Sequence, residues 1–324
     1  MLHNVSNPDL HLLRVFMAVV EAGGFSAAQI SLNVAQSTIS TQMTDLETRL
    51  GMRLCNRGRT GFSLTDDGRA VYEAAQELFR SMSNFRTRVN DRRGGLAGTL
   101  RVAFADALLS NRDFRLDDAI LHFIADAPDV ELELKTANPL DIEHGVLDGR
   151  YHAGVHTFPN HAPGLTYIKL FSERQTLYCA ERHPLFGVPD SEQKPEEIER
   201  LPFVRRTYYG GTLQTGAFRP KRVVANADSM EALALLVLSG EMIGHLPAEW
   251  VRNSCIHAKL QALVEDKFSY DSNFEIVVKT GAQHTKLVRT FLREVFSLYG
   301  ISNLGIKPKR RRSVRPRAGV RAAD

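Results

Sequence analysis

Tryptophan and cysteine are nearly missing from this 324-residue chain, which holds one Trp and three Cys. Cys55, Cys179 and Cys255 are scattered and odd in number, so neither a disulfide framework nor a thiolate metal site is expected. A reducing, cytoplasmic setting follows. No apolar run approaches the roughly 18 residues of a membrane span, so no membrane partner is expected. The N-terminal residues lack the basic-then-apolar order of a signal peptide. Equally missing are a Gly-x-Ser-x-Gly elbow, a phosphate-binding glycine loop and a dinucleotide fingerprint. Catalysis therefore has little footing, and neither catalytic residues nor a cofactor are expected. The 11 histidines include His144, His152, His156 and His161. No Cys-x-x-Cys pair accompanies them, and no metal site is expected.

What charge there is divides unevenly. Residues 1–93 carry 11 basic and 9 acidic side chains (+2), residues 94–304 carry 22 and 27 (−5), and residues 305–324 carry 8 and 1 (+7), which together give the net +4. Nucleic acid contact is thus expected at the ends of the chain and not in its acidic middle.

The most informative stretch runs from Ser26 to Leu50. Ser26 and Gln29 have the spacing of a capping box, predicting a short helix with Ala27, Ala28 and Ile30 inward. Asn33-Val34 breaks it. A second helix is predicted from Gln36 to Leu50, with Ile39, Met43, Leu46 and Leu50 on one buried face. Its opposite face gathers Gln36, Ser37, Thr38, Ser40, Thr41 and Gln42. Such uncharged donors and acceptors bond base edges and phosphates when a helix start enters the major groove. Ahead of this pair, Asp9 is placed to cap a helix holding Leu10, Leu13, Phe16, Met17 and Val20, which Gly23-Gly24 ends. Behind it come Arg53, Arg57 and Arg59. The segment Arg57 to Thr65 reads as a small hairpin wing whose arginines would sit against phosphates. Periodicity alone leaves open a plain three-helix cap with a solvated basic loop.

The run Phe25-Ser26-Ala27-Ala28, then Val34-Ala35-Gln36-Ser37-Thr38-Ile39-Ser40, then Leu46-Glu47 with Leu50-Gly51, resembles the winged helix-turn-helix of LysR-type transcriptional regulators. Arg53-Leu54, Arg57 and Leu64-Thr65 with Gly68 continue the pattern. Three residues depart from it. Ala35 stands where a capping serine is usual, Ser37 where a proline often opens the helix, and Thr41 where a basic residue is frequent. The resemblance is dense over residues 1–90 and thinner beyond.

The implied fold class is α/β, with a winged helix-turn-helix DNA-binding domain over residues 1–64 and a linker helix over residues 65–93. An effector-binding domain over residues 94–304 would hold two α/β subdomains similar to periplasmic binding proteins. The implied function is an effector-responsive regulator of transcription. It would bind near-palindromic double-stranded DNA as a homodimer, with homotetramers common in the family.

In the linker, Val71, Ala75, Leu78, Met82, Phe85 and Val89 fall at alternating steps of four and three. That is a heptad seam for pairing with a second copy, unless the helix lies on its own domain's core. In the effector half, strands are expected at Leu100–Ala105, Val130–Leu134, Thr176–Ala180, Val223–Ala225, Ile243–Leu246 and Phe274–Val278. Helical stretches alternate with them, and Asp228 with Glu231 reads as a capping box. The β-α-β order predicts parallel sheets, two in number. Ligands of such sheets bind beyond the carboxyl ends of strands. The candidate effector contacts are Asp106, Ser110, His156, Thr157, Arg205, Tyr208, Asn226 and Ser229. Asp106 stands where the family usually has Ser or Thr, so a small polar effector with a donor or cationic group is expected there. The tail, residues 305–324, is expected to be disordered and to add nonspecific DNA affinity. The rival readings are a periplasmic-type solute-binding protein and an enzyme on the same α/β scaffold.

Overall fold

A computed structural model of the chain describes residues 5–58, 61–92, 96–209 and 216–306. The chain forms two compact units, residues 1–86 and 87–324.

The first unit opens with α1 (Asn7–Glu21), followed by α2 (Phe25–Leu32), α3 (Gln36–Leu50) and a hairpin of β1 (Cys55–Gly58) and β2 (Gly61–Leu64). The division between the units falls inside α4 (Asp66–Arg92). Ser6, not Asp9, caps α1, and Asp9 is the reciprocal member of that capping box. The Asp9 carboxylate is buried, pairs with Arg49 at 3.0 Å, and is held below its usual range chiefly by the Ser6 hydroxyl and amide. It thereby ties the start of α1 to the end of α3. The expected cap at Ser26 is corrected: Phe25 already begins α2, because its ring packs edge-on against Phe62. Gly24 takes the cap position at φ +149°, a conformation that favours glycine. Only Ala28 of the predicted inward residues is buried; Ala27 is exposed and Ile30 is 89% exposed.

Ile39, Met43 and Leu46 bury one face of α3 against Leu13, Phe16 and Val19 of α1. Glu47 then accepts hydrogen bonds from the Leu54 and Cys55 amides, at 2.8 and 3.3 Å, and sets where the hairpin starts. Thr65 caps α4 by accepting from the Gly68 amide at 2.9 Å and donates to the Arg53 carbonyl at 2.6 Å.

The second unit runs β3 (Gly98–Phe104), α5 (Leu116–Asp126), β4 (Val130–Thr136), α6 (Pro139–Leu147), β5 (Ala153–His156) and β6 (Leu165–Ala180). It continues through α7 (Pro195–Ile198), β7 (Pro202–Arg206), β8 (Arg222–Ala227), α8 (Met230–Leu238), β9 (Gly244–Pro247) and α9 (Ala248–Asn253). Then come β10 (Leu260–Ala262), α10 (Glu265–Phe268), β11 (Tyr270–Lys279) and α11 (Lys286–Tyr299). The prediction of two parallel sheets is corrected. The strands β10-β6-β11-β5-β3-β4, with β9 beside β6, form one seven-stranded sheet, and β7-β8 form a two-stranded one. Among the named strands of the described residues, β3-β4, β3-β5 and β7-β8 pair parallel, and the other pairs within these sheets are antiparallel. The long strands β6 and β11 pair antiparallel and join two lobes. One lobe is cored by Leu100, Phe123, Ile276 and Phe291, and the other by Leu177, Leu233, Val237 and Leu246.

A methyl group at Gly68 would lie 2.0 Å from the Leu54 carbonyl oxygen. Alanine normally favours a helix over glycine by about 1 kcal/mol, but the close backbone approach outweighs it. Gly68→Ala should lower the stability of the N-terminal unit by about 1–3 kcal/mol in thermal denaturation.

Candidate functional site

Two surfaces carry the chemistry expected from the sequence. The first is the start of α3. Gln36, Ser37, Thr38 and Thr41 are exposed, Ser40 and Gln42 are half-buried, and Ile39 and Met43 fill the opposite face. The helix begins at Ala35 without a side-chain cap, so its first amides have no side chain of their own to bond. Thr41 donates to the Ser37 carbonyl at 3.0 Å, and Gln42 contacts His11 of α1 at 3.0 Å. Ser26 is exposed in the first turn of α2, with Gln29 donating to its carbonyl at 3.3 Å. Arg53 is exposed between α3 and the hairpin. Arg57 has its backbone in β1, paired with Phe62. The side chains of Arg57 and Val89, all of Arg59, Gly94 and Gly95, and the tail from Lys307 onward lie outside the described residues.

On α4 the six seam residues divide. Ala75 is buried, and Val71 and Leu78 are half-buried, against the core of their own unit. Met82 is 37% and Phe85 68% exposed.

The second surface is a cleft in the effector half. An outer cavity of about 490 Å³ is lined by Asp106, Lys135, Asn138, Arg150, Tyr151, His156, Tyr208, Asp228 and Ser229, among others. It shares Asp106, His156 and Tyr208 with an inner cavity of about 30 Å³, which adds Thr157, Glu173, Gln175, Arg206, Tyr270 and Ser272. Asp106 follows β3 and faces the start of α8. Its carboxylate accepts from the Met230 amide and lies 3.7 Å from the Arg206 guanidinium. The predicted capping box at Asp228 is thereby corrected: Ser229 is the N-cap, accepting from the Ala232 amide at 3.3 Å, and Asp106 supplies the anion at this helix end.

Among the other candidates, His156 and Tyr208 meet edge to face at 5.3 Å, and both line the two cavities. Burial, reinforced by Arg206, pushes His156 down to about 3 and keeps it neutral. Arg205 and Asn226 bond each other at 3.0 Å and line neither cavity. Strand alternation explains this, since the next residue of β7, Arg206, is the one turned into the cleft. Ser110 donates to the Ala107 carbonyl at 2.9 Å and also lies off both cavities.

Sequence reading missed Arg206, Glu173, Gln175, Tyr270 and Ser272. Glu173 sits in a stretch, Ser172 to Gln175, whose polar residues resemble a solvated loop. Only the buried alternation of Phe171, Glu173 and Gln175 marks it as strand. His152 and His156 are four apart, a metal-ligand spacing on a helix. Here His152 precedes β5 and His156 ends it, and four residues of strand span about 13 Å. Burial lowers His152 to about 4, and its Nδ1 accepts from the Arg101 amide at 3.0 Å.

Glu173 is 5% exposed, and burial raises its carboxyl from 4.5 to about 7. The folded chain holds this proton where the unfolded chain has lost it, so this group makes stability fall as pH rises through that window. His152, His156 and His245, the last lowered to about 4 by burial, act oppositely: their contribution is full above 6.5 and is lost on acidification. Glu173→Gln removes only the first trend. Its stability relative to the native chain should climb by up to about 3 kcal/mol from about pH 5 to 7 in parallel denaturation series; a constant offset would contradict the assignment.

Two family models match these two parts of the chain. Residues 10–69 match the bacterial regulatory helix-turn-helix protein, lysR family, and residues 93–297 match the LysR substrate binding domain. The HTH-type transcriptional activator BauR of Pseudomonas aeruginosa is 36% identical over 294 residues, covering 91% of this chain and 96% of BauR. The crystal structure of CbnR, a LysR family transcriptional regulator, has the same fold at 20% identity, with a TM-score of 0.63, covering 90% of this chain and 99% of CbnR. Full-length CbnR complexed with its target DNA aligns equally well, at 21% identity, a TM-score of 0.63, and 89% and 99% coverage. The family comprises regulators of transcription, not enzymes. No helix among the described residues is long and apolar enough to cross a membrane. With a DNA-binding helix-turn-helix at one end and an effector-binding α/β unit behind it, the chain belongs to the LysR family of transcriptional regulators.

Proposed function

We propose that this regulator binds near-palindromic promoter DNA as a dimer or tetramer and answers to a small polar effector held in the cleft. The observation that carries the DNA half is the face of α3. Its exposed side chains at the helix start are polar and uncharged, while its apolar ones are buried. In this reading Gln36, Ser37, Thr38, Ser40, Thr41 and Gln42 meet base edges and nearby phosphates. Ser26, Arg53, Arg57 and Arg59 hold the backbone. That the structure of CbnR with its target DNA has this fold supports the reading.

Pairing is assigned to α4. Val71, Ala75 and Leu78 anchor the helix on its own unit, and the seam continues through Met82, Phe85 and Val89 to a second copy. The exposure of Phe85 on an otherwise polar stretch supports this. The domains would then divide as residues 1–64, 65–93 and 94–304. The effector is assigned to the two joined cavities, with a donor or cationic group turned toward the acidic side at Asp106. His156, Thr157, Tyr208 and Ser229 line them.

Footprinting and salt titration test this. Arg53→Ala should weaken binding to every duplex alike and reduce the salt slope by about 1. Thr38→Ala should instead discriminate less between sites, by about 1–3 kcal/mol at one base pair. Phe85→Glu should yield monomers in sedimentation and abolish a dyad footprint. A Phe85→Glu protein that stays dimeric, with its footprint intact, would reject the pairing.

A further inference from the structure

Glu173 and Ser272 are direct partners in the β6–β11 register, so both side chains leave the same face of the sheet and line the inner cavity. Glu173 accepts one amide hydrogen from Asn111 at 3.2 Å and one from Gln175 at 2.8 Å. Asn111 is held in that orientation by the Asp113 amide, which donates to its side-chain oxygen at 2.9 Å. Both donors are neutral, and a carboxylate has about four acceptor sites. The Arg206 guanidinium forms an ion pair with Asp106 at 3.7 Å and also favours the ionised form of Glu173. The hydroxyl of Ser272, a residue only 3% exposed, has no hydrogen-bond partner among the described residues. Native proteins rarely leave such a group unsatisfied.

Size narrows what completes this arrangement. The inner cavity of about 30 Å³ is far smaller than the outer one of about 490 Å³, so it admits a small end group and not the body of a ligand. A group with several donors and a positive charge matches two acceptors, one of them an acid whose side-chain hydrogen bonds come from neutral amides.

Resting on the reading of this cleft as the effector site, we infer that the effector carries a primary ammonium group, received by Glu173 and Ser272 in the inner cavity. The body of the molecule occupies the outer cavity beside Tyr208. Asp106, already capping α8, sets the sign of the surroundings and is not the receiving group. Arg206, Asp106 and His156 face Glu173 from β7, the end of β3 and β5, and Glu249 adds negative charge from α9. Because burial keeps Glu173 partly protonated near pH 6.5, closing an ammonium on it ionises the carboxyl and releases a proton to the buffer.

Calorimetry on the full-length protein tests this with ethanolamine, glycine and 4-aminobutyrate, each beside its N-acetyl and deaminated counterpart. An amine should bind and its two counterparts should not. Runs in buffers of different ionisation heat should show proton release at pH 6.5. Glu173→Gln should weaken the amine by about a hundredfold and abolish that release. Ser272→Ala, which leaves the charge in place, should weaken it by about fivefold and keep the preference for amines. If the counterparts bind in place of the amines, and Tyr208→Ala abolishes that binding, the ammonium assignment falls and the cleft stands. If none of the nine compounds binds, or Tyr208→Ala leaves binding untouched, both fall.

Discussion

The antiparallel ladder between β6 and β11 carries the effector half. It runs from Tyr270 opposite Gln175 to Lys279 opposite Leu165, broken by a register shift between Phe274 and Glu275. One lobe stacks on its early part and the other on its late part, so the two share the backbone hydrogen bonds of a single strand pair. Rotation of one lobe against the other therefore has to be absorbed as twist in these two strands, near the bulge, where a ladder is already interrupted. The cleft opens at that place. Phe171 and Phe274 stack there at 4.9 Å, and Glu173 and Ser272 follow toward the cavity. In the proposed complex the side chains that meet the effector stand on the same strands that a rotation of the lobes would twist, which is the coupling an effector-responsive protein needs.

The DNA end is organised by charge placed on apolar helices. Asp9 is nearly inaccessible yet holds Arg49, and Glu47 receives two amides from the chain entering the hairpin. These contacts fix α1, α3 and the hairpin as one body. The polar start of α3 is free of such duties, apart from the Gln42–His11 contact.

How much of this could be read from residues alone depended on period. The helix over Gln36–Leu50 has a 3.6-residue stripe with a Gly stop, and the structure places it at the same bounds. The same period runs through α11, where Leu287, Phe291, Leu292 and Val295 are buried on one side. Errors arose where a polar residue served the backbone from afar. Asp106 and Ser229 share the end of α8, so local spacing pointed to Asp228 instead. Arg205 and Arg206 differ by a single strand step, which no composition rule resolves. The long strand β6 was visible only over Thr176–Ala180. Its earlier half carries Lys169, Glu173 and Arg174, and charge in a strand looks like surface until a partner strand with a cavity explains it.

A last consequence lies in the alanine ahead of α3. A helix whose leading amides lack a built-in acceptor keeps a small standing affinity for any anion that docks there. In the proposed complex a phosphate of the operator becomes that missing acceptor. Fastening the first turn and gripping the duplex then become a single event, and part of the binding free energy appears as order gained in the protein itself.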